Sequence, residues 1–271
     1  MPDQYAVIGN PVAHSKSPQI HAEFARQTGQ DLVYERLLAP ADGFKATIEA
    51  FNARGGLGVN VTLPFKVQAY GYATLLSERA RAAQAVNTLK FEDGSVLGDN
   101  TDGSGLVVDI ARNLGCVIAG RRLLLLGAGG AARGVIKPLL EQRPARLVLA
   151  NRTPGKAIGL AHAFGSGVEA AAYAALAGRQ FDLVINATSA SLTDSLPPLP
   201  RGLFAQGSLA YDMMYGKGET PFLAFARAEG AATLADGLGM LVEQAAESFL
   251  IWRGVHPDTA PVLKLLRHTA V

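Results

Sequence analysis

Over about the first hundred positions, short apolar runs rich in β-formers alternate with segments whose apolar residues recur at helical spacing. Tyr5–Ile8, Leu32–Leu37 and Leu57–Val61 read as strands, and Pro18–Thr28 and Phe44–Ala53 as helices. Strand and helix in turn imply a mostly parallel sheet. Asn87–Glu92 and Val96–Leu97 flank Asp93-Gly94, a two-residue turn signal, so a hairpin is expected there and with it one antiparallel strand. A mixed sheet follows. From Thr101 to Leu114 the pattern is helical, with Gly115 as its stop, and this helix is expected to bridge two domains. The alternation then restarts as Leu123–Leu126, a helix from Ala131, Leu147–Ala150, a helix from Pro154, and Leu183–Ile185, which is the order of two βαβ units. Pro138 falls inside the first of these helices, where a kink is expected. The alanine-rich stretch Glu169–Ala177 reads as a short helix. Leu238–Trp252 and Asp258–Arg267 read as two helices parted by the Gly254–Pro257 break.

Composition narrows the function classes. The 271 residues are 49% hydrophobic and 18% charged, and 25 basic against 23 acidic side chains leave a net charge of +2. That balance supplies no field of one sign to hold nucleic acid or a membrane surface, so a small-molecule partner is the expectation. The single cysteine, Cys116, permits no internal disulfide and sits between Gly115 and Val117 like a packing residue. With no basic-then-apolar leader and no apolar run of about 18 residues, a cytoplasmic protein is expected. The five histidines share no metal-ligand spacing, so no metal is expected. Phe222, Phe225 and Phe249 lie on helical patterns and read as core.

The most informative motif is Leu123–Leu126 running into Gly127-Ala128-Gly129-Gly130-Ala131-Ala132, a buried strand entering a G-x-G-x-x-A loop that opens a helix. Gly127 permits the tight turn, Gly129 lets backbone approach a pyrophosphate, Ala132 keeps helix and strand close, and the helix amino terminus favours the anion. About twenty residues on, where enzymes using NAD carry a carboxylate for the ribose, stands Asn151-Arg152-Thr153 with Lys156 behind it. A guanidinium, a hydroxyl and an ammonium suit a 2′-phosphate and hence NADP, although an isolated Arg/Lys pair would read as surface.

Three polar clusters lie in the first part of the chain. In His14-Ser15-Lys16-Ser17-Pro18, Ser17-Pro18 has the form of a cap followed by proline at the first helical position. Capping alone would explain Ser17. Ser15 has no such role, and two hydroxyls at a helix start can receive a small carboxylate. Asn60-Val61-Thr62-Leu63-Pro64-Phe65-Lys66 ends a strand, where open α/β sheets hold ligands; Asn60 and Thr62 share a side, and Lys66 opens a helical turn. A cation at that end of a helix calls for an anionic neighbour or a chemical task, unless it is an ordinary surface lysine. Asp99-Asn100-Thr101-Asp102-Gly103 holds more capping residues than one helix start needs, which makes Asp102 the candidate partner of Lys66 in proton transfer.

Taken in order, these segments resemble the shikimate dehydrogenase family over nearly the whole chain. Further matches are Ala85-Val86-Asn87-Thr88, Asn186-Ala187-Thr188-Ser189, Tyr211-Asp212-Met213-Met214-Tyr215 and Asp236-Gly237 through Gln244. The resemblance implies an α/β fold of two domains: a mixed-sheet substrate-binding and catalytic domain at 1–101, a Rossmann-type NADP-binding domain at 102–237, and carboxy-terminal helices at 238–271 that return to the first domain. The cleft between domains would close on substrate. It implies that Ser15 and Ser17 bind the substrate carboxylate, that Asn60, Thr62, Asn87, Asp102, Tyr215 and Gln244 hold the ring hydroxyls and the carbonyl, and that Lys66 and Asp102 are the catalytic pair. NADP would lie on Gly127, Ala128, Gly129, Gly130 and Ala131, with Asn151, Arg152, Thr153 and Lys156 at its adenosine phosphate and Thr188, Met213 and Gly237 farther along. The implied activity is reversible NADPH-dependent reduction of 3-dehydroshikimate to shikimate by a monomer or homodimer. The paired serines and Asn-Arg-Thr favour the shikimate-specific branch over the dual quinate/shikimate branch. A silent dinucleotide-binding regulator on the same fold would not be expected to keep both Lys66 and Asp102, and a tRNA-linked reductase would need a nucleophilic cysteine.

Overall fold

The computed structural model describes residues 1–188, 195–216 and 218–268; Ser189, part of one motif above, lies outside them. Contacts divide the chain into two compact units, Met1–Gly105 with Val242–His268, and Leu106–Leu241.

The first unit contains strands β1 (Asp3–Gly9), β2 (Leu32–Leu38), β3 (Gly56–Val61), β4 (Leu75–Leu76), β5 (Thr88–Glu92) and β6 (Ser95–Asp99), with helices α1 (Ser17–Thr28), α2 (Phe44–Ala53), α3 (Lys66–Tyr72) and α4 (Glu78–Ala83) between them. Its sheet has the order β2-β1-β3-β5-β6-β4. β5 alone runs antiparallel to its neighbours, as the hairpin signal requires. Gly94 takes a positive φ of 81° in the turn, and the resulting register, Glu92 opposite Ser95 and Thr88 opposite Asp99, is what later brings Asn87 level with Asn100–Asp102. One face of the sheet buries Ile8, Ile48, Phe51, Val59, Phe65 and Leu89. Elsewhere in the unit an aromatic group of Tyr5, His21, Phe24, Tyr34, Phe249 and Trp252 packs ring on ring, with Trp252 Nε1 donating to the Leu89 carbonyl at 3.0 Å.

The second unit begins within α5 (Asp102–Val108), which passes into a π-helical turn at Asp109–Asn113, and Gly115 follows with φ 62°. Then come β7 (Arg122–Leu126), α6 (Gly130–Glu141), β8 (Arg146–Ala150), α7 (Pro154–Phe164), β9 (Val168–Ala171), β10 (Phe181–Asn186), β11 (Phe204–Asp212), α8 (Pro221–Ala228) and β12 (Thr233–Ala235). All pairings are parallel and the order is β12-β11-β10-β7-β8-β9, the doubly wound arrangement in which the first two strands of the two halves, β7 and β10, lie side by side. Leu123–Leu126 are fully buried because alternate residues enter different cores: Leu123 and Leu125 face one, Leu124 and Leu126 the other. α6 continues through Pro138, with a glycine, Gly134, four residues back where proline removes a hydrogen bond.

Two sequence expectations are corrected. Glu169–Ala177 is not a helix: Val168–Ala171 pairs with β8 as an edge strand and Tyr173–Leu176 forms one 3₁₀ turn. An exposed ladder on β8 outweighs the helix preference of a short alanine run. Nor is Ser17 the cap of α1. Lys16 holds that position without a side-chain bond, and Ser17 and Pro18 are the first helical residues. The chain ends in α9 (Leu238–Arg253) and α10 (Ala260–His268). Phe222 and Phe249 are fully buried, and Phe225 packs partly buried against the core.

Candidate active site and nucleotide site

α3 begins at Lys66 directly after the turn that leaves β3, and α5 begins at Asp102 directly after β6. The strands thus deliver both residues to one edge of the first unit. Lys66 Nζ donates to Asp102 Oδ2 at 2.6 Å, with the side chains 29% and 13% exposed. This is the anionic neighbour that a lysine at a helix start calls for. Asp102 Oδ1 accepts from Asn87 Nδ2 at 2.9 Å, and the same Nδ2 meets Gln244 Oε1 at 3.1 Å and Thr101 Oγ1 at 2.9 Å. Asn87 Oδ1 accepts from the backbone N–H of Thr101, 2.9 Å away, so Asn87 ties the hairpin to the start of α5.

Asn60, near the end of β3, lies among buried partners. Nδ2 donates to Ser248 Oγ (2.9 Å), Thr88 Oγ1 (3.2 Å) and the Asn87 carbonyl (3.3 Å). Oδ1 accepts from Tyr34 Oη at 2.7 Å and His21 Nε2 at 3.2 Å. Full burial lowers the His21 pKa to about 3, so the ring is neutral and holds its proton on the nitrogen facing Asn60. Burial drives the Tyr34 phenol well upward, against hydrogen bonding from Ser17 and the charge of Arg36. Ser15 Oγ donates to Ser17 Oγ at 3.2 Å and accepts from the Ser17 N–H at 3.3 Å. The capping role reasoned for Ser17 therefore falls to Ser15. Thr62 follows β3 with its methyl group 2.4 Å from where a Cβ on Gly9 would stand, which explains the glycine.

His21, Tyr34, Arg36, Thr88 and Ser248 were not singled out in the sequence. Ser248 follows Gln244 by one helical turn, a spacing that could have marked it. The start of α5 is braced by another unforeseen group: Arg79 is bidentate to Asp99 at 2.7 and 2.9 Å, and Asp99 Oδ1 accepts from the Asn100 N–H at 2.6 Å.

In the second unit Gly127 closes β7 with φ 107°, and a Cβ there would stand 3.0 Å from the Ala187 carbonyl beyond β10. This is the switch point of the doubly wound sheet. The α6 amino terminus carries no side-chain cap, and the space where Cβ atoms on Gly129 and Gly130 would project is open. Ala128, Gly129, Gly130, Arg133, Lys156, Gly159 and Leu160 line a cleft of about 320 Å³. Uncapped N–H groups, room for close backbone approach and two cations fit a pyrophosphate-bearing nucleotide. Asn151, Arg152 and Thr153 follow β8, with Asn151 Nδ2 donating to the Thr153 carbonyl at 3.0 Å; none of the three lines that cleft. Thr188 Oγ1 donates to Asn186 Oδ1 at 2.7 Å. Met213 and Gly237 adjoin, since a Cβ on Gly237 would stand 2.2 Å from the Met213 carbonyl. Tyr215 belongs to this unit, its phenol pushed up by burial and then by Asp236. Burial likewise raises the Cys116 thiol, which leaves it a poor nucleophile. Among the described residues no cluster of His, Cys, Asp and Glu could hold a metal ion, and no helix is long and apolar enough to cross a membrane.

Family models match three segments: the shikimate dehydrogenase substrate binding domain at residues 7–89, shikimate/quinate 5-dehydrogenase at 109–193, and the shikimate 5′-dehydrogenase C-terminal domain at 237–267. The shikimate dehydrogenase (NADP(+)) of Nitrosospira multiformis is 65% identical over 269 residues, 98% of each chain. The structure of the Ael1 enzyme of Pseudomonas putida is 52% identical with a TM-score of 0.93, covering 97% of this chain and 98% of that one. The Thermus thermophilus shikimate 5-dehydrogenase, solved with NADP(H) and shikimate, is 34% identical with a TM-score of 0.88 over 99% of this chain and all of its own. Doubly wound sheet, mixed sheet, Lys–Asp pair and these likenesses over the full length agree: the chain belongs to the shikimate dehydrogenase family.

Proposed function

We infer that the chain catalyses the reversible NADPH-dependent reduction of 3-dehydroshikimate to shikimate. The observation that carries this reading is the Lys66–Asp102 contact of 2.6 Å, oriented by Asn87 and set beyond the ends of β3 and β6, the two strands that flank β5. NADPH, when bound, supplies the hydride to the ketone carbon. As charge develops on the ketone oxygen, Lys66 Nζ delivers a proton to it, and Asp102 orients the ammonium and shares its charge. In the reverse direction Lys66 takes that proton back. Ser15 and Ser17 receive the carboxylate, and Thr62, Asn87, Tyr215 and Gln244 hold the ring hydroxyls, while Asn60 contributes through the groups it anchors. Gly127, Ala128, Gly129, Gly130 and Ala131 cradle the pyrophosphate. Asn151, Arg152, Thr153 and Lys156 take the 2′-phosphate, with Thr188, Met213 and Gly237 toward the nicotinamide. The substrate and catalytic domain spans 1–101, the nucleotide domain 102–237 and the carboxy-terminal segment 238–271, whose helices α9 and α10 return to the first domain, in a cytoplasmic monomer or homodimer.

The test is an absorbance assay at the nicotinamide band, offering shikimate and quinate separately with NADP and with NAD. Turnover confined to shikimate with NADP supports the reading. Comparable turnover of quinate, or with NAD, would move the chain to the dual-specificity branch, and none in any combination would overturn it.

A further inference from the structure

Strand β2 carries Tyr34 and Arg36 two residues apart, so both side chains leave the same face of the sheet. Arg36 reaches the serine loop, and Tyr34 reaches α1, the helix that this loop leads into. Arg36 donates from both Nε and Nη2 to the Ser15 carbonyl, at 3.1 and 2.6 Å. Tyr34 stacks on His21 with ring centres 4.3 Å apart and planes within 7°.

The direction of the Tyr34 hydrogen bond follows from the atoms around it. The Asn87 carbonyl can only accept, so the Asn60 end facing it is the amide nitrogen. Asn60 therefore turns its oxygen to Tyr34, and the phenolic proton is committed to that oxygen at 2.7 Å. Only lone pairs of Tyr34 Oη remain for the nearby Ser17, so that hydroxyl can meet Tyr34 only as a donor. A carboxylate is a stronger acceptor for the same proton. The sites that fix the two serines are thus a guanidinium on one backbone carbonyl and a phenol that can only accept.

The charge arrangement points the same way. α1 begins at Ser17, and its amino terminus is the positive end of the helix dipole. Arg36 adds a formal positive charge beside it, and among the described residues no carboxylate pairs with Arg36; its neighbour Glu35 is taken by Arg54. Two positive features converging on a pair of hydroxyls are complementary to an anion.

We propose that Arg36 and Tyr34 are positioning residues for the substrate carboxylate, Arg36 by fixing Ser15 and supplying the opposite charge, Tyr34 by holding Ser17. The proposal rests on the reading that the serine pair receives that carboxylate. It makes β2 a specificity element for an acid over its neutral analogues.

Steady-state kinetics of Arg36→Gln, Arg36→Lys and Tyr34→Phe test it, with methyl shikimate, in which the charge is esterified, as a competitive inhibitor. Arg36→Gln should raise the shikimate KM about tenfold or more, the scale of a lost charge-assisted contact, with kcat and the NADP KM within about twofold and the inhibition constant of the ester little changed. Arg36→Lys, which keeps charge without the fork, should recover part of the loss. Tyr34→Phe should raise the shikimate KM a few-fold, and add nothing in a Ser17→Ala background. Equal effects of Arg36→Gln on shikimate and ester, a fall in kcat with KM unmoved, or multiplying effects of Tyr34→Phe and Ser17→Ala would each overturn the proposal. Ser15→Ala and Ser17→Ala with an unmoved shikimate KM would instead sink the carboxylate reading beneath it.

Discussion

Removing the Lys66 ammonium should cost far more in turnover than in binding. The pair it forms with Asp102 is short, 2.6 Å, and only 29% and 13% exposed. Two unit charges about 4 Å apart at an effective dielectric near 20 attract by about 4 kcal/mol, and partial exposure here screens that to about 2 kcal/mol. Positioned proton transfer adds a factor of about 10² to 10⁴. Lys66→Ala should therefore lower kcat by about 10² to 10⁴ with a small change in the shikimate KM. Asp102→Asn keeps the lysine but loses the ion pair, and its amide meets a donor wherever it is turned, because Lys66 donates to one oxygen and Asn87 to the other. A loss of about 2 kcal/mol corresponds to about 30-fold in kcat. Since the two act as one device, the double variant should be little worse than Lys66→Ala alone. Initial rates at saturating substrate, followed at the nicotinamide band, measure all three. A kcat for Lys66→Ala within about fivefold of the parent, with the loss in KM, would make Lys66 a binding residue, and strictly multiplying effects would show that the two side chains act separately.

Arg152→Ala should weaken NADPH by about tenfold or more while leaving NADH nearly unchanged; equal losses for both cofactors would remove Arg152 from the 2′-phosphate. Gly239→Ala should destabilise the fold by about 1–3 kcal/mol, because the new methyl would stand 2.0 Å from Oδ1 of the buried Asp109, which Tyr211 Oη holds at 2.6 Å; an unchanged melting temperature contradicts the close contact. His21 titrates at about 3 in the fold against 6.5 free, so between those values the unfolded chain binds a proton that the folded one refuses. Its contribution to stability is complete above pH 6.5 and drains away by about 1.4 kcal/mol per unit as pH falls toward 3. Denaturation midpoints at pH 6.5 and 4.5 should fall less in His21→Gln than in the parent, and parallel slopes would refute the buried neutral ring.

Local signals carried the architecture because each was settled within a few residues. Asp93-Gly94 set the hairpin register, the leucine run and its glycines set the nucleotide turn, and Lys66 at a helix start announced an anionic partner 36 residues away. What the sequence left dark depends on neighbours that only the sheet assembles. Val168–Ala171 is a strand because β8 offers an open edge, and β4 is two residues long. Asn60 and Asn87 read alike, as polar residues at the ends of strands, one near a carboxy-terminal end and the other at an amino-terminal end, yet their surroundings differ. Asn60 is enclosed by His21, Tyr34, Thr88 and Ser248, the last 188 residues away, whereas Asn87 meets the half-open Asp102 and Gln244. One asparagine therefore hands its orientation to other side chains, and the other stands beside the chemistry. The same division separates Tyr34 and Arg36 from the serines they touch. In sequence β2 is an ordinary strand, and its part in the site follows only from its place beside β1, which ends at the loop bearing Ser15 and Ser17.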